Sequence, residues 1–483
     1  MNSALDRAVK HANAWLDGLD TRSVAATSDK AALRSKLNVP LADAGLEAAQ
    51  VIDELVAMTE GGHLGSASGR FYGWVIGGAL PSALAADWLT SAWDQNAALF
   101  ACAPAAAVVE EVAGAWLKEL FDLPRDASFA FTSGCQMSHF TCLAAARHAV
   151  LQKAGWDVGE NGLFGAPAVR VLTGEHRHAT VDRALRFLGF GARSIETLPC
   201  DRQARIETSG LEAALATTPA APAIVVLNAA DLNVGSFDKF QELIPLARTA
   251  GAWVHVDGAF GLFARASRSL RPLAEGIEAA DSWATDGHKW LNVPYDCGIA
   301  IVRDQAAHRA AMTIGAAYIS SHGDARDQID WNPEWSRRAR GFVVYAALRE
   351  LGRRGLEELV DRCCAHCRTL VTALGQLPGA MALAEVGLNQ GLVRFLDGRP
   401  NASEADHDAR TDAVMARINA SGEAFFSGTT WRGRRAVRVS VVNWRTSAAD
   451  IERTIAAVRS ALEGAGGGGG EVGDDQVGAS AAD

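Results

Sequence analysis

Long apolar runs are absent from this sequence, and lysine and tyrosine are scarce. No stretch of about 18 apolar, charge-free residues occurs, which excludes a typical membrane-spanning helix. Residues 1–37 mix charges with apolar residues and lack the apolar region of a secretory signal, so we expect a cytoplasmic protein. The 483 residues include only seven lysines and four tyrosines. Any role that needs one of these side chains therefore has few candidates.

An excess of positive charge is also lacking. The chain carries 46 Lys and Arg against 56 Asp and Glu, a net charge of −10 with a pI near 5.7. A nucleic-acid-binding protein usually presents a basic face, so we expect no nucleic-acid partner. The run of Arg337, Arg338 and Arg340 is interpreted as a solvated or interface surface, the usual place of such runs in an acidic chain.

The eight cysteines are scattered through a long chain, which favours reduced thiols over a disulfide framework. Cys363, Cys364, His366 and Cys367 stand close together and invite comparison with a metal site. Structural zinc needs four well-spaced ligands, however, and this group lies in a helical pattern over residues 356–374. We therefore interpret the group as helix residues and expect no metal site.

The middle of the chain alternates between strand-like and helical patterns, which predicts an α/β fold with a mainly parallel sheet. The strand-like runs are Phe129–Thr132, Val169–Leu172, Ile224–Leu227, Trp253–Val256, Ser282–Ala284 and Gly298–Val302. In such sheets ligands bind at the carboxyl ends of the strands. The loops that follow these runs are therefore the first candidates for a functional site.

The patterns outside the sheet region suggest a division of the chain into four segments. Residues 1–95 read as an N-terminal helical segment and 96–335 as the large α/β domain. Residues 336–463 combine helical patterns with two strand-like runs, as a smaller C-terminal α/β domain would. Residues 464–483 are rich in glycine and have no periodicity, so we expect a disordered tail.

Two strand ends carry the residues that point to a chemistry. The run Trp253–Val256 is followed by Asp257, and the run Ser282–Ala284 is followed shortly by Lys289. A carboxylate at a buried strand end is costly without a cationic partner. Pyridoxal 5′-phosphate (PLP) requires a lysine amine for its Schiff base and a carboxylate beside its pyridine nitrogen. We therefore predict that Lys289 holds PLP and that Asp257 faces the same crevice.

The same block resembles the PLP-dependent group II amino-acid decarboxylases, which include the aromatic amino-acid, glutamate and histidine decarboxylases. The resemblance is carried by Val254–Phe260, by Asp281-Ser282 and by His288–Asn292, and it extends over most of residues 40–460. It implies the fold of aspartate aminotransferase, which is PLP-dependent transferase fold type I, and a homodimer. Asp257 would then pair with the pyridinium nitrogen.

Further roles follow from the resemblance. His178, in the run from His178 to Ala184, would stack on the cofactor ring, and His288 would lie near the phosphate or the substrate. Gly134, Cys135 and Gln136 open a helix after a predicted strand, where free N–H groups suit a phosphate. This chain departs there from the family pattern of Gly-Gly/Ala-Thr/Ser-Glu-Ala, so the hydroxyl contact to the phosphate is replaced by a longer amide.

The resemblance also assigns a proton donor. Tyr318 lies 29 residues after Lys289, where the family has a tyrosine on a loop that protonates the substrate Cα after carbon dioxide leaves. This favours decarboxylation over the oxidative, aldehyde-forming variants. Transamination and carbon–carbon lysis remain alternatives on the same fold, and Arg438 would suit a transaminase because it could hold a substrate carboxylate.

Two further interpretations stay open at this stage. Asp231 either faces the cofactor or is an ordinary turn residue or helix cap. Phe71, Tyr72 and Trp74 either line the entrance of the site or belong to the core. Whether the substrate is an aromatic or an acidic L-amino acid is equally open.

Overall fold

A computed structural model of the chain describes residues 3–314 and 325–463. These residues fall into two compact units. One unit consists of residues up to 76, 366–383 and 392 onward, and the other of residues 77–365 and 384–391. We call them the smaller and the larger unit. The predicted division at residues 95 and 335 stays a prediction, and the expected tail lies outside the described residues.

Helices occupy the first part of the chain, and strands alternate with helices from residue 128 onward. The helices are α1 (Ser3–Asp17), α2 (Lys30–Leu37), α3 (Ala48–Thr59), α4 (Pro81–Trp93), α5 (Pro104–Leu120), α6 (Cys135–Lys153), α7 (Val158–Asn161), α8 (Ala179–Phe187), α9 (Thr208–Thr217), α10 (Phe240–Thr249), α11 (Gln305–Met312), α12 (Gly341–Gly375), α13 (Glu404–Ser421) and α14 (Ala448–Glu463). The strands are β1 (Ser128–Thr132), β2 (Arg170–Gly174), β3 (Ile195–Leu198), β4 (Ala223–Asn228), β5 (Trp253–Asp257), β6 (Ser282–Asp286), β7 (Gly298–Val302), β8 (Ala380–Ala382), β9 (Gln390–Phe395), β10 (Ser427–Trp431) and β11 (Arg434–Ser440).

The larger unit is built on a seven-stranded sheet in the order β1-β7-β6-β5-β4-β2-β3. The five strands from β3 to β6 in this order are parallel, and β7 runs antiparallel to both β6 and β1. The predicted mainly parallel sheet is therefore confirmed. Every residue of β1, β5, β6 and β7 is buried, as expected for apolar strands covered on both faces.

Helix α6 covers one face of this sheet. Its run Ala144–Ala146 is completely or almost completely buried and packs in one cluster with Val171, Ile224 and Val226 of the strands. Small side chains let a helix approach a sheet closely, so packing at this face is dense. The position of α6 matters for the site, because its N-terminus follows directly on the carboxyl end of β1.

The smaller unit contains a four-stranded sheet in the order β10-β11-β9-β8. Helix α13 begins with a capping box, in which Ser403 and Asp406 bind each other's backbone N–H groups. Phe71 and Tyr72 are buried within this unit: Phe71 stacks on Phe425 at 5.0 Å, and the Tyr72 hydroxyl lies 3.0 Å from that of Thr454. The core interpretation is thus correct for these two residues, whereas Trp74 is exposed.

Six predicted strands of the larger unit are present, and one strand was missed. Strand β3 lies at the edge of the sheet and is mostly not buried, so its sequence lacks the apolar run on which the prediction relied. None of the described helices combines the length and the apolar character needed to cross a bilayer. Cys363, Cys364, His366 and Cys367 lie in α12, as the helix interpretation predicted.

The expectation of a solvated arginine surface is wrong for Arg337 and Arg340, which are buried. The Arg337 guanidinium donates to both carboxylate oxygens of the completely buried Glu110, at 2.8 and 3.0 Å, and to the carbonyl of Phe131 at 2.8 Å. Arg340 contacts Asp296. A buried carboxylate requires a cation, and the partner comes from a distant part of the chain that the local run of arginines does not reveal.

Candidate active site

Polar side chains meet where neighbouring strands of the larger sheet end. Asp257 is the last residue of β5 and pairs in register with Asn228, the last residue of β4, and with Ala284 of β6. Asp286 is the last residue of β6 and lies opposite Gly298, the first residue of the reversed strand β7. The carboxyl ends of parallel strands share one edge of the sheet, so both carboxylates lie at that edge.

Asp257 is a buried carboxylate that lies beside a buried histidine. Its Oδ1 accepts a hydrogen bond from the N–H of Ala259 at 3.1 Å, and its Oδ2 lies 3.5 Å from Nε2 of His139. Burial by itself raises the pKa of Asp257, but His139, through charge and hydrogen bonding, and His178, through charge, lower it well below its ordinary value. Asp257 is therefore ionised throughout the neutral range, although it is buried.

Lys289 follows β6 in a tightly held turn. Its Nζ lies 3.3 Å from Oδ2 of Asp286 and 5.6 Å from the centre of the Phe260 ring. The Asn292 side chain donates to the carbonyls of Lys289 and Trp290, and a Cβ on Gly77 would stand only 2.0 Å from the Lys289 carbonyl oxygen. The turn is thus fixed by a neighbouring backbone that only glycine allows to approach.

The N-terminus of α6 lies beside this lysine turn. Gly134 is the N-cap residue, and the N–H of Cys135 donates to Oδ1 of Asp286 at 2.6 Å. This N–H is one of the donors that we predicted for a cofactor phosphate. Asp286 was missed by the sequence reasoning, although its place at a strand end, three residues before Lys289, was a usable signal. Burial raises the pKa of the Cys135 thiol, with Asp286 and Asp257 adding to the effect.

His288 is the residue next to the lysine. Its Nδ1 is buried without a hydrogen-bond partner among the described residues, although Oδ1 of Asp286 lies 3.5 Å away. The ring stacks on Tyr295 with 4.6 Å between centroids. Desolvation lowers the pKa of His288 despite the nearby Asp286, so the ring is held mostly neutral. A buried imidazole nitrogen without a partner indicates space for a polar ligand group.

His178 is the N-cap residue of α8, and its Nδ1 lies 2.7 Å from the hydroxyl of Thr180. The charge of His178 also lowers the pKa of Asp257. Asp231 has the turn role that was one of its two interpretations: its Oδ1 accepts from the N–H groups of Asn233 and Val234. Tyr318 lies outside the described residues.

Two histidines behind Asp257 were not singled out from the sequence. His139 of α6 and His255 of β5 are both completely buried, and Nδ1 of His139 lies 2.9 Å from Nε2 of His255. Cys135, His139 and Asp257 also bring their ligand atoms within 4.8 Å, the one such group of potential metal ligands in the described ranges. The carboxylate of this group is that of Asp257, which we assign to the pyridine nitrogen of PLP and not to a metal ion.

These residues fit the pyridine nitrogen and the aldehyde of PLP, and they offer two groups for its phosphate. The ionised, buried Asp257 has no cationic side chain other than histidine within ion-pair distance among the described residues, as a partner for a pyridinium would require. Lys289 supplies an amine at the adjoining strand end, and the partnerless nitrogen of His288 and the start of α6 lie near it. At the phosphate end, Asp286 already binds one donor, so carboxylate and phosphate would compete for it.

Comparison with known proteins supports the same interpretation. Residues 35–395 match the model of the pyridoxal-dependent decarboxylase conserved domain. L-2,4-diaminobutyrate decarboxylase of Rhizobium meliloti is 30% identical over 387 residues, which cover 78% of this chain and 74% of that protein. Aromatic-L-amino-acid decarboxylase of Bacillus atrophaeus is 25% identical over 467 residues, or 95% of this chain and 94% of that protein.

Solved structures show the same fold. Oryza sativa TDC with PLP and tryptamine superposes with a TM-score of 0.89 at 21% identity, covering 96% of this chain and 97% of that one. Mouse CSAD superposes with a TM-score of 0.85 at 21% identity, covering 94% and 98% of the two chains. The predicted fold type is confirmed by these likenesses.

Proposed function

Because the chain belongs to the pyridoxal-dependent decarboxylase family and is therefore a PLP-dependent amino-acid decarboxylase, we propose that Lys289 and Asp257 hold its cofactor. The observation that carries this assignment is their juxtaposition at the ends of two neighbouring parallel strands, in a chain with only seven lysines. When bound, PLP supplies an electron sink that accepts the electrons of the broken Cα–carboxylate bond.

Each side chain has a defined task in this proposal. Lys289 would hold the cofactor through its Nζ, and the nearby Asp286 carboxylate, 3.3 Å from Nζ, would orient that amine. Asp257 keeps a proton on the pyridine nitrogen, because a buried and ionised carboxylate stabilises a cation beside it. His178 covers one face of the ring. The first turn of α6, with Gly134, Cys135 and Gln136, and the side chain of His288 bind the phosphate.

Tyr318 is proposed as the general acid that delivers a proton to the substrate Cα after carbon dioxide has left. A tyrosine hydroxyl is ordinarily protonated at neutral pH and is able to serve as this donor. The product is then an amine. Without that proton, dioxygen would oxidise the decarboxylated substrate, and the products would be an aldehyde, ammonia and hydrogen peroxide. A keto acid keeps the carboxylate, so it would instead indicate transamination without decarboxylation.

The substrate is proposed to be an L-amino acid, and the names of the relatives set the panel to be tested. These names include a diaminobutyrate, an aromatic amino-acid and an acidic amino-acid decarboxylase. The purified enzyme is incubated with PLP and one amino acid of each class, and carbon dioxide, amine, aldehyde and keto acid are measured together. Carbon dioxide and amine in equal amounts support the proposal, whereas keto acid without carbon dioxide contradicts it.

The lysine assignment has its own test. Lys289→Ala should lose the visible absorption band of bound PLP, because no other amine replaces the one removed. Lys239→Ala is the matched control, since Lys239 is largely exposed and pairs with Glu242 on the surface. A visible band that survives in Lys289→Ala would refute the assignment.

We also propose a homodimer in a reducing, cytoplasmic environment. Helices α1, α2 and α3 contain no buried residue in the single chain, and Leu5, Leu46, Val51 and Leu55 on or beside them are exposed. Apolar helix surfaces of this kind favour burial against a second copy. None of the eight cysteines, all of which lie in the described ranges, forms a disulfide, which agrees with a reducing compartment. Light scattering of the purified protein measures the mass of the assembly.

A further inference from the structure

A continuous chain of buried polar side chains leads from the interior of the larger unit to Asp257. Trp253, His255 and Asp257 alternate along β5, so their side chains lie on the same face of the sheet. Helix α6 covers this face and contributes His139, and β6 contributes Ser282, which pairs in register with His255. His139, His255 and Ser282 have no exposed surface.

The distances along this chain are those of hydrogen bonds up to His139. Trp253 Nε1 lies 2.9 Å from Ser282 Oγ, which in turn lies 2.9 Å from His255 Nδ1. His255 Nε2 lies 2.9 Å from His139 Nδ1. The last step is longer, with 3.5 Å between His139 Nε2 and Asp257 Oδ2.

The donors and acceptors define how the protons are distributed. An indole N–H only donates, so Ser282 Oγ accepts from Trp253. If the Ser282 hydroxyl donates to Nδ1 of His255, the His255 proton is on Nε2 and is donated to Nδ1 of His139. Nε2 of His139 then carries its own proton toward Asp257. If His255 instead donates to Ser282, Nδ1 of His139 donates to His255. Nε2 of His139 then either carries a second proton or accepts one from the Cys135 thiol, whose Sγ lies 3.5 Å away. The first arrangement needs no charged ring, and it places a proton on Nε2 of His139 that is directed at Asp257.

The pKa shifts of His255 and Asp257 agree with a proton donor at Nε2 of His139. Desolvation and the neighbouring His139 lower the pKa of His255 to about 3, so His255 is a neutral member of the chain. The pKa of Asp257 lies below its ordinary value in spite of burial, and His139 contributes to this through both charge and hydrogen bonding. Loss of His139 would therefore leave a buried carboxylate with weaker support for its ionised form.

We propose that His139 is a positioning residue that keeps Asp257 ionised and directed at the pyridine nitrogen, with His255, Ser282 and Trp253 holding its ring in place. This inference rests on the proposed role of Asp257. The proposal gives His139 and His255 a function that requires no contact with the substrate or with Lys289. Its consequence is that the protonation of the cofactor ring depends on a residue of α6, which belongs to a different element from Asp257.

The test measures the ring nitrogen directly. The enzyme is loaded with PLP that carries ¹⁵N in the pyridine ring, and its ¹⁵N resonance reports whether that nitrogen is protonated. His139→Leu should still bind PLP, but its resonance should move toward the unprotonated position. Turnover should fall roughly 10- to 100-fold, as expected when one hydrogen bond to a charged group is lost. His139→Gln retains an N–H donor, so its ¹⁵N resonance should lie closer to the protonated position and its turnover should recover in large part.

His308→Leu is the matched control. His308 is also completely buried and hydrogen-bonded, to Ser128 and to the carbonyl of Trp331, but it lies at the opposite end of β1. A merely structural effect of losing a buried histidine would appear in His308→Leu as well. The control should therefore lose stability without any movement of the ¹⁵N resonance.

The outcomes separate this inference from the proposed function. If Asp257→Asn moves the resonance and His139→Leu does not, the positioning role is overturned and the role of Asp257 stands. If neither variant moves it, the assignment of Asp257 fails. Equal movement in His139→Leu and His308→Leu also overturns the inference. Should His139→Leu not fold, Ser282→Ala takes its place, and a resonance and turnover at wild-type values would refute the chain of hydrogen bonds.

Discussion

A single methyl group at Gly298 should disturb the phosphate end of the site. Gly298 begins β7, and a Cβ at this position would lie 2.3 Å from the carbonyl carbon and 2.4 Å from the oxygen of Gly134. Both contacts are to backbone, which cannot rotate away as a side chain can. Gly134 would have to retreat by about 1 Å to reach ordinary van der Waals distance. The N-terminus of α6 would move with it.

This displacement should lower the stability of the protein, its turnover and its affinity for PLP. Overpacking of a dense interior typically costs about 1–3 kcal/mol in the free energy of unfolding. A displacement of about 1 Å at a site costs turnover on the order of 10²-fold. Gly298→Ala should thus unfold at a lower temperature without PLP and bind PLP more weakly. Thermal unfolding of the cofactor-free protein and titration of the visible PLP band measure the two effects separately.

Gly191→Ala is the control for this substitution. A Cβ at Gly191 would meet no heavy atom within 4 Å, and its φ of −80° suits alanine. It should therefore keep the unfolding temperature and the PLP affinity of the wild type. A Gly298→Ala protein that matches the wild type in both measurements would refute the argument from the close approach of Gly134.

Three further predictions concern single side chains. Asp286→Asn should bind PLP more tightly in a titration, because the carboxylate no longer opposes the phosphate near the Cys135 N–H; weaker binding would contradict this. Tyr318→Phe should keep PLP and substrate binding while amine formation falls by roughly 10²–10⁴. In the presence of dioxygen, aldehyde, ammonia and hydrogen peroxide should replace part of the amine; amine at the wild-type rate would contradict the donor role. Arg337→Met should lose about 3–5 kcal/mol in urea unfolding, and Glu110→Gln in addition should recover part of it. Burial raises the pKa of Glu110 above its ordinary 4.5, and Arg337 opposes this rise. The loss in Arg337→Met should therefore grow as pH rises above the ordinary carboxyl pKa, and a pH-independent loss would contradict the argument.

The sequence by itself determined the sheet of the larger unit and the central pair of the site. Apolar runs such as Ile224–Leu227 predict buried strands because their periodicity is local. The rule that ligands bind at strand ends then brings Asp257 and Lys289 to one edge without any knowledge of distances. The family resemblance added the positions of His178, His288 and Tyr318, whose roles stay predictions.

Only the tertiary structure decided which distant groups support that pair. His139 lies 116 residues from His255, and Cys135 lies 151 residues from the Asp286 carboxylate that its N–H binds. Arg337 was expected at the surface and is buried against Glu110, 227 residues away. Local patterns record which face of a strand or helix is apolar, but they do not record which polar side chains meet there. Those partners are chosen by the close packing of α6, β5 and β6, because a buried polar group must find its hydrogen bonds wherever the fold brings a partner.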